Sequence, residues 1–311
     1  MNASPEPALT IAPEPSEPRL LPLPDLLREW QADAEAARAA RLAGTPRGPV
    51  TGLATLDERL GGHLAPGLHV LHGEPGTGKT AFGLQVAATC GTPALFVTTE
   101  MSPLELFRRI TARVTGTYLG RLKSGELSPE ASLELAKQAA TACPMLAFVD
   151  ATREPIAPWQ VDGTLPGILE AAQVWRARHE ATAVLIVLDS LHTWTASLRP
   201  DVPEYDGLNA AIADLQRLAT WLESPVLAIS ERNRASMASD SQSAGAGTRK
   251  LEYRGDTVLA LQREKSDNGE WRPDAAGEYA VSVNLAKNRN GATGAKVALR
   301  FHGALQAFRE L

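Results

Sequence analysis

From Val50 onward, apolar runs of four to six residues alternate with longer stretches whose apolar side chains recur at helical spacing. A strand with no polar face is buried on both sides, and a helical stretch between two such strands supplies the crossover of a parallel pair. The pattern predicts strands at Leu68–His72, Ala94–Thr98, Leu146–Val149, Ala183–Leu188 and Pro225–Ser230. Helices are predicted near Thr80–Cys90, Pro103–Val114, Pro129–Ala142, Leu165–His179 and Leu208–Leu222. After Asp256 the period changes to two, which predicts strands Thr257–Leu261, Tyr279–Lys287 and Ala295–Phe301, with Gly277 and Gly291 near their turns. The expected fold is therefore α/β: a mostly parallel central sheet, helices on both faces, and an antiparallel C-terminal extension. Thr193–Tyr205 and Ala235–Lys250 read as loops, the second rich in Ser, Ala and Gly.

The first 49 residues break this pattern. Residues 1–24 carry seven prolines and scattered glutamates, too little apolar area to offset the entropy of ordering, and are expected to form a disordered tail. Asp25 is placed to cap a helix from Leu26 to about Leu42, with Leu26, Leu27 and Trp30 as its apolar handle. Such a helix docks on its own core or on a neighbouring subunit. Gly44–Pro49 reads as a hinge, so residues 25–49 form a linker and residues 50–311 the principal domain.

Composition narrows this little. Charged residues make up 22% of the chain and hydrophobic ones 44%, ordinary for a globular protein. The net charge of −5 argues against a basic coat, while leaving room for a basic lining inside a cleft or ring. Cys90 and Cys143 each lie among apolar residues, the setting of two reduced, packed thiols in a cytoplasmic protein. No apolar run approaches the ~20 residues of a membrane span.

The chemistry enters at Gly73-Glu74-Pro75-Gly76-Thr77-Gly78-Lys79-Thr80, which satisfies G-x-x-x-x-G-K-[ST] at every defined position. A predicted strand precedes it, and a helix beginning Ala81-Phe82-Gly83-Leu84 follows. That context separates a phosphate-binding loop from a glycine-rich turn. Glycines let consecutive N–H groups turn inward on phosphate oxygens, and the helix start adds partial positive charge. Lys79 is expected on the β- and γ-phosphates of ATP, and the Thr80 hydroxyl on Mg²⁺. Asp189 ends the apolar strand Val184–Leu188 and is the candidate second Mg²⁺ group; a plain strand-end carboxylate is the alternative. Glu100 ends the strand after the first helix, where it either orients the attacking water or caps a helix over Ser102–Leu106.

These segments together resemble the RecA-type ATPase core of the DnaB family of replicative helicases. Thr51-Gly52-Leu53-Ala54-Thr55-Leu56-Asp57 is similar to that family's opening segment, and Thr99-Glu100-Met101-Ser102 to its "LEMS" strand end. Ser230-Glu231-Arg232-Asn233-Arg234 resembles "SQLNR", and Leu251-Glu252 with Asp256 resembles "IE…AD". Ala286-Lys287-Asn288-Arg289-Asn290-Gly291-Ala292-Thr293-Gly294 is the most specific, close to "AKxRNGPTG". The closing Phe301-His302-Gly303…Phe308 looks like the family's final strand, so the likeness covers about residues 50–311.

The resemblance implies a homo-oligomeric ring, a hexamer by family pattern, that hydrolyses ATP between neighbours and acts as a 5′→3′ helicase in DNA replication. Lys287 and Arg289 match the basic pair that reaches the next subunit's site, where a guanidinium neutralises charge developing on the transferring phosphoryl group. The linker helix matches the one that packs on the adjacent protomer. The two loops would line a central channel, with Arg232 and Arg234 on one flank of the second and Arg249 and Lys250 on the other, touching single-stranded DNA through phosphates.

Three departures keep other readings open. Only about 49 residues precede the core, so the family's N-terminal helical domain is missing from this sequence. Glu231 stands where the family has a glutamine that senses the γ-phosphate. The loop "GEPGTGKT" is closer to the RadA and KaiC branches. An ATP-gated regulatory or scaffold ring, whose tail recruits a protein partner, is the alternative to the motor; a RadA-like recombination ATPase is another.

Overall fold

The apolar runs pair edge to edge. The computed structural model describes residues 20–160, 163, 165–231, 254–264 and 271–311. After a 3-10 turn at Leu23–Leu26 comes α1 (Leu27–Ala43), then α2 (Ala54–Arg59), β1 (Gly67–Gly73) and α3 (Lys79–Thr89). β2 (Ala94–Thr98) leads through α4 (Pro103–Thr115), α5 (Leu119–Lys123) and α6 (Pro129–Ala142) to β3 (Leu146–Asp150). α7 (Ile168–Arg178), β4 (Leu185–Asp189), α8 (Leu191–Leu198), α9 (Glu204–Leu222) and β5 (Pro225–Glu231) follow. β6 (Thr257–Arg263), β7 (Glu278–Asn288), β8 (Lys296–His302) and β9 (Ala307–Glu310) complete the order.

One nine-stranded sheet results, in the order β3-β2-β4-β5-β1-β6-β7-β8-β9. Its central strands are buried on both faces, as their unbroken apolar runs require. Leu56, Phe82, Leu106 and Ala139 pack under one face with the C-terminal strands, and Ile168, Trp194 and Leu215 under the other. Cys90 is buried and Cys143 half-buried, both as free thiols.

Four expectations change. First, the antiparallel extension begins at β7 rather than at Asp256, because β6 runs parallel to β1. Asp256 sets that direction. Its N–H donates to Leu68 O at 2.7 Å and its carboxylate accepts the Leu68 N–H at 3.0 Å, so β6 starts beside the start of β1. Second, Thr193–Tyr205 is not a loop but the body of α8, a short turn, and the first residues of α9. Ser190 caps α8, and its polar residues are absorbed internally: Thr195 donates to Leu191 O, and the buried Trp194 indole donates to Ile156 O.

Third, Asp25 caps nothing. It lies within the 3-10 turn, its N–H bonded to Pro22 O, and Leu26 at the start of α1 offers no side-chain cap. Fourth, of the two docking sites left open for α1, its own core buries none of its residues among those described, and Leu27, Trp30 and Leu42 are 67%, 78% and 76% exposed. Gly44 ends the helix at φ +66°, a conformation glycine adopts without penalty, and the chain is anchored again where Pro49 O accepts from Leu64 N.

Candidate active site

β1 ends at Gly73 and α3 begins at Lys79, so the glycine-rich segment fills the gap between a strand end and a helix start. Gly76 and Gly78 hold φ values of +76° and +94°, and a Cβ on Gly73 would lie 2.6 Å from Leu261 O. Side chains are excluded on both counts, which leaves backbone N–H groups to line the loop. Thr77 is buried and its hydroxyl donates to Glu74 O at 2.8 Å, stiffening the turn. Lys79, 7% exposed, curls back so that Nζ donates to Gly73 O at 3.0 Å and Glu74 O at 3.2 Å. The N-cap of α3 is Gly78, which has no side chain to cover the helix start where an anion is favoured.

Two residues that sequence reasoning missed brace this loop from outside. The Arg263 guanidinium, at the end of β6, donates to Pro75 O and lies 4.3 Å from the Trp271 ring centre. Trp271 is in turn stacked on Tyr279 and bonded to Ala280 O. The only signal was an arginine closing an apolar strand.

β2 and β4 pair in register, Thr98 opposite Asp189. Thr99 N and Oγ1 both donate to Asp189 O, at 2.8 and 2.9 Å, and Ser190 N donates back to Thr99 Oγ1 at 2.9 Å. The Asp189–Ser190 peptide between them is cis. Glu100 follows directly, and its Oε1 accepts from Ser190 Oγ at 2.5 Å and from Thr193 Oγ1 at 2.7 Å. The capping alternative for Glu100 fails, because the cap of α4 is Ser102, which accepts from Glu105 N. Lys79, Thr80, Glu100 and Asp189 thus share the carboxyl edge of the parallel strands, where open α/β sheets bind their ligands. Glu231 closes β5 opposite Gly73, at the same edge.

Lys287 and Arg289 lie elsewhere. Lys287 Nζ donates to Gly255 O at 2.7 Å, and Arg289 pairs with the Asp256 carboxylate at 2.6 Å. Asp256 is bonded to Leu68, five residues before Gly73 on β1, which separates the pair from the phosphate loop by ~16 Å of strand. Arg232, Arg234, Arg249 and Lys250 fall outside the described residues.

The loop suits a nucleoside triphosphate: glycines at positive φ, a helix start whose N-cap is glycine and one buried ammonium. Thr80 and Asp189 bring to this edge the hydroxyl and carboxylate oxygens that Mg²⁺ takes beside phosphate and water. Residues 48–310 match the family model described as DnaB-like helicase C terminal domain. The chain belongs to this family. Its DnaB-like core is 27% identical over 268 residues to the replicative DNA helicase DnaB of Treponema pallidum, covering 84% of this chain and 56% of that one. For the DnaB of Geobacillus stearothermophilus the values are 26% over 273 residues, 83% and 54%. The chain therefore spans about half the length of these relatives.

Among solved structures, one described as an ATPase domain superposes with a TM-score of 0.74 at 18% identity, over 92% of this chain and 98% of that one. A DnaB-like replicative helicase whose interactions with primase are described superposes at 0.68 and 17%, over 93% and 71%. A KaiC-like protein from Pyrococcus horikoshii reaches 0.53 at 17%, over 86% and 99%. The DnaB-like, RecA-type fold expected from sequence is thus the observed one. No helix among the described residues is long and apolar enough to cross a membrane.

Proposed function

We propose that this chain is an ATP-hydrolysing motor of the DnaB type that assembles with copies of itself and moves on single-stranded DNA. Lys79 and the loop N–H groups bind the triphosphate, Thr80 and Asp189 hold Mg²⁺, and Glu100 orients the attacking water. One observation carries the oligomeric part. Arg289 and Lys287 stand ~16 Å of strand away from their own chain's phosphate loop, so this pair can act on a transferring phosphoryl group only at the site of a second copy. The exposed apolar side chains Leu23, Leu27 and Trp30 support the same arrangement, since α1 buries nothing on its own chain. Relatives named as replicative helicases favour the motor over a regulatory ring. In this reading Glu231 lies at the nucleotide edge, and Arg232, Arg234, Arg249 and Lys250 contact DNA phosphates.

The test is steady-state ATPase with and without single-stranded DNA for the wild type, Lys79→Ala, Glu100→Gln and Arg289→Ala. Wild type is expected to be stimulated by DNA and each variant to lose at least about a hundredfold. Adding Arg289→Ala protein to wild type should depress the rate more than dilution does, because mixed assemblies carry defective sites. A rate indifferent to DNA, or an Arg289→Ala protein as active as wild type, rejects the motor.

A further inference from the structure

Capping α8 accounts for the presence of the Ser190 hydroxyl, but neither the cap nor nucleotide binding accounts for two hydroxyls converging on Glu100. A glutamate at a strand end has three rotatable bonds and, being exposed here, many rotamers open to it. Yet its Oε1 already receives two hydroxyl contacts, Ser190 at 2.5 Å and Thr193 at 2.7 Å. The two hydroxyls also lie 3.1 Å from each other, so two protons serve three contacts. A carboxylate takes a proton more strongly than a neutral hydroxyl does, which sends both to Glu100. Ser190 serves both contacts, since its proton goes to Glu100 while a lone pair accepts the Thr193 N–H as the cap of α8.

The platform beneath is rigid. Trp194 is fully buried with its indole bonded to Ile156 O, and Arg199 at the other end of α8 pairs with Asp214 of α9. Thr99 ties the backbone ahead of Glu100 to Asp189 and Ser190, so donors and acceptor are fixed to one another through strand ends as well as side chains.

We infer that Ser190 and Thr193 are positioning residues for hydrolysis: they hold Oε1 of Glu100 and leave Oε2 to take the attacking water. The inference rests on the reading of Glu100 given above. A carboxylate fixed before nucleotide arrives meets the water in the productive geometry without first losing rotamer freedom. Asp189 through Thr193 then serves two ends of one reaction, metal and water, from a single strand-to-helix junction.

The experiment measures kcat, KM and the affinity for a non-hydrolysable ATP analogue in the full chain, for Thr193→Val, Thr193→Ser, Ser190→Ala and Ser190→Ala/Thr193→Val. Thr193→Val keeps the shape and removes the proton. Its kcat is expected to fall about tenfold, and that of the double variant further, with KM and analogue affinity within about twofold of wild type. Thr193→Ser, which keeps the donor, should hold most of the wild-type kcat. If Ser190→Ala weakens α8, the analogue affinity and Thr193→Val still decide the matter. Unchanged or increased kcat in Thr193→Val and the double variant overturns the positioning role, provided Glu100→Gln is inert. Wild-type turnover by Glu100→Gln removes Glu100 from the chemistry and the inference with it.

Discussion

Gln85 lies inside α3 with both ends of its carboxamide committed: Nε2 donates to Phe308 O at 2.9 Å and Oε1 accepts from Phe308 N at 2.7 Å. The amide thereby takes the place of a further strand beside β9 and ties it to the helix behind the phosphate loop. Phe308 in turn packs 3.0 Å from where a Cβ on Gly78 would lie. Gln85→Ala strands a buried donor and acceptor and opens a cavity, a loss on the order of 2–4 kcal/mol. Chemical denaturation is expected to show that loss together with weaker nucleotide binding. A change under about 0.5 kcal/mol would mean that the tie is dispensable. At this scale the phosphate loop was legible, because phosphate recognition imposes glycine, lysine and hydroxyl at fixed spacing. Gln85, Arg263 and the Ser190–Thr193 pair were not, since their partners lie up to 223 residues away.

Among the elements, α2 depends on the far end of the chain. Its N-cap, Leu53, has no capping side chain, and the carboxylate of Glu310 accepts from Thr55 N at 2.8 Å and Leu56 N at 3.3 Å instead. A carboxylate at a helix start also meets the positive end of the dipole. Glu310→Ala is expected to cost about 1 kcal/mol, and Glu310→Gln, which keeps the acceptor, about half of that. Equal losses for both substitutions would assign the effect to charge alone. Elements with strong signals stood where their pattern put them: α6 at Pro129–Ala142 and β2 at Ala94–Thr98 match residue for residue. Within α8, Thr193–Leu198 carries a loop-like pattern because its threonines look polar until their hydroxyls are paired inside the molecule. The direction of β6 rested on Asp256 meeting Leu68, which no period along the chain encodes.

Over the whole molecule, stability should fall on mild acidification. His69 is buried in β1, and its ring Nε2 meets Ala65 O at 2.8 Å, while Nδ1 has no hydrogen-bond partner among the described residues. Burial, helped slightly by His63, holds its pKa below the ordinary value of 6.5 against weaker opposing pulls from Ala65 and Asp256. The folded state therefore binds fewer protons than the unfolded one as pH drops below 6.5. Stability is full above that value and is lost toward the lower folded pKa. His63, lowered chiefly by burial, acts in the same direction. Asp57 and Asp214, raised mainly by burial, oppose it only in more acid solution, where the folded carboxyls protonate first. Thermal melts between about pH 7.5 and 5.5 are expected to show a falling Tm that is shallower in His69→Gln, which donates to Ala65 without titrating. Parallel slopes would exonerate His69.

By itself the sequence determined where most of the strands lie, which stretch carries the phosphate-loop motif and which family the chain joins, because these are carried by local period and by contiguous motifs. Tertiary structure alone decided that Glu100 is clamped, that β6 is parallel, that α1 buries no side chain on its own chain, and that Arg289 stands apart from Lys79. Each of those depends on which sheet edge and which end of a strand a residue occupies, and strand order is set by burial summed over the whole sheet rather than by any segment of it.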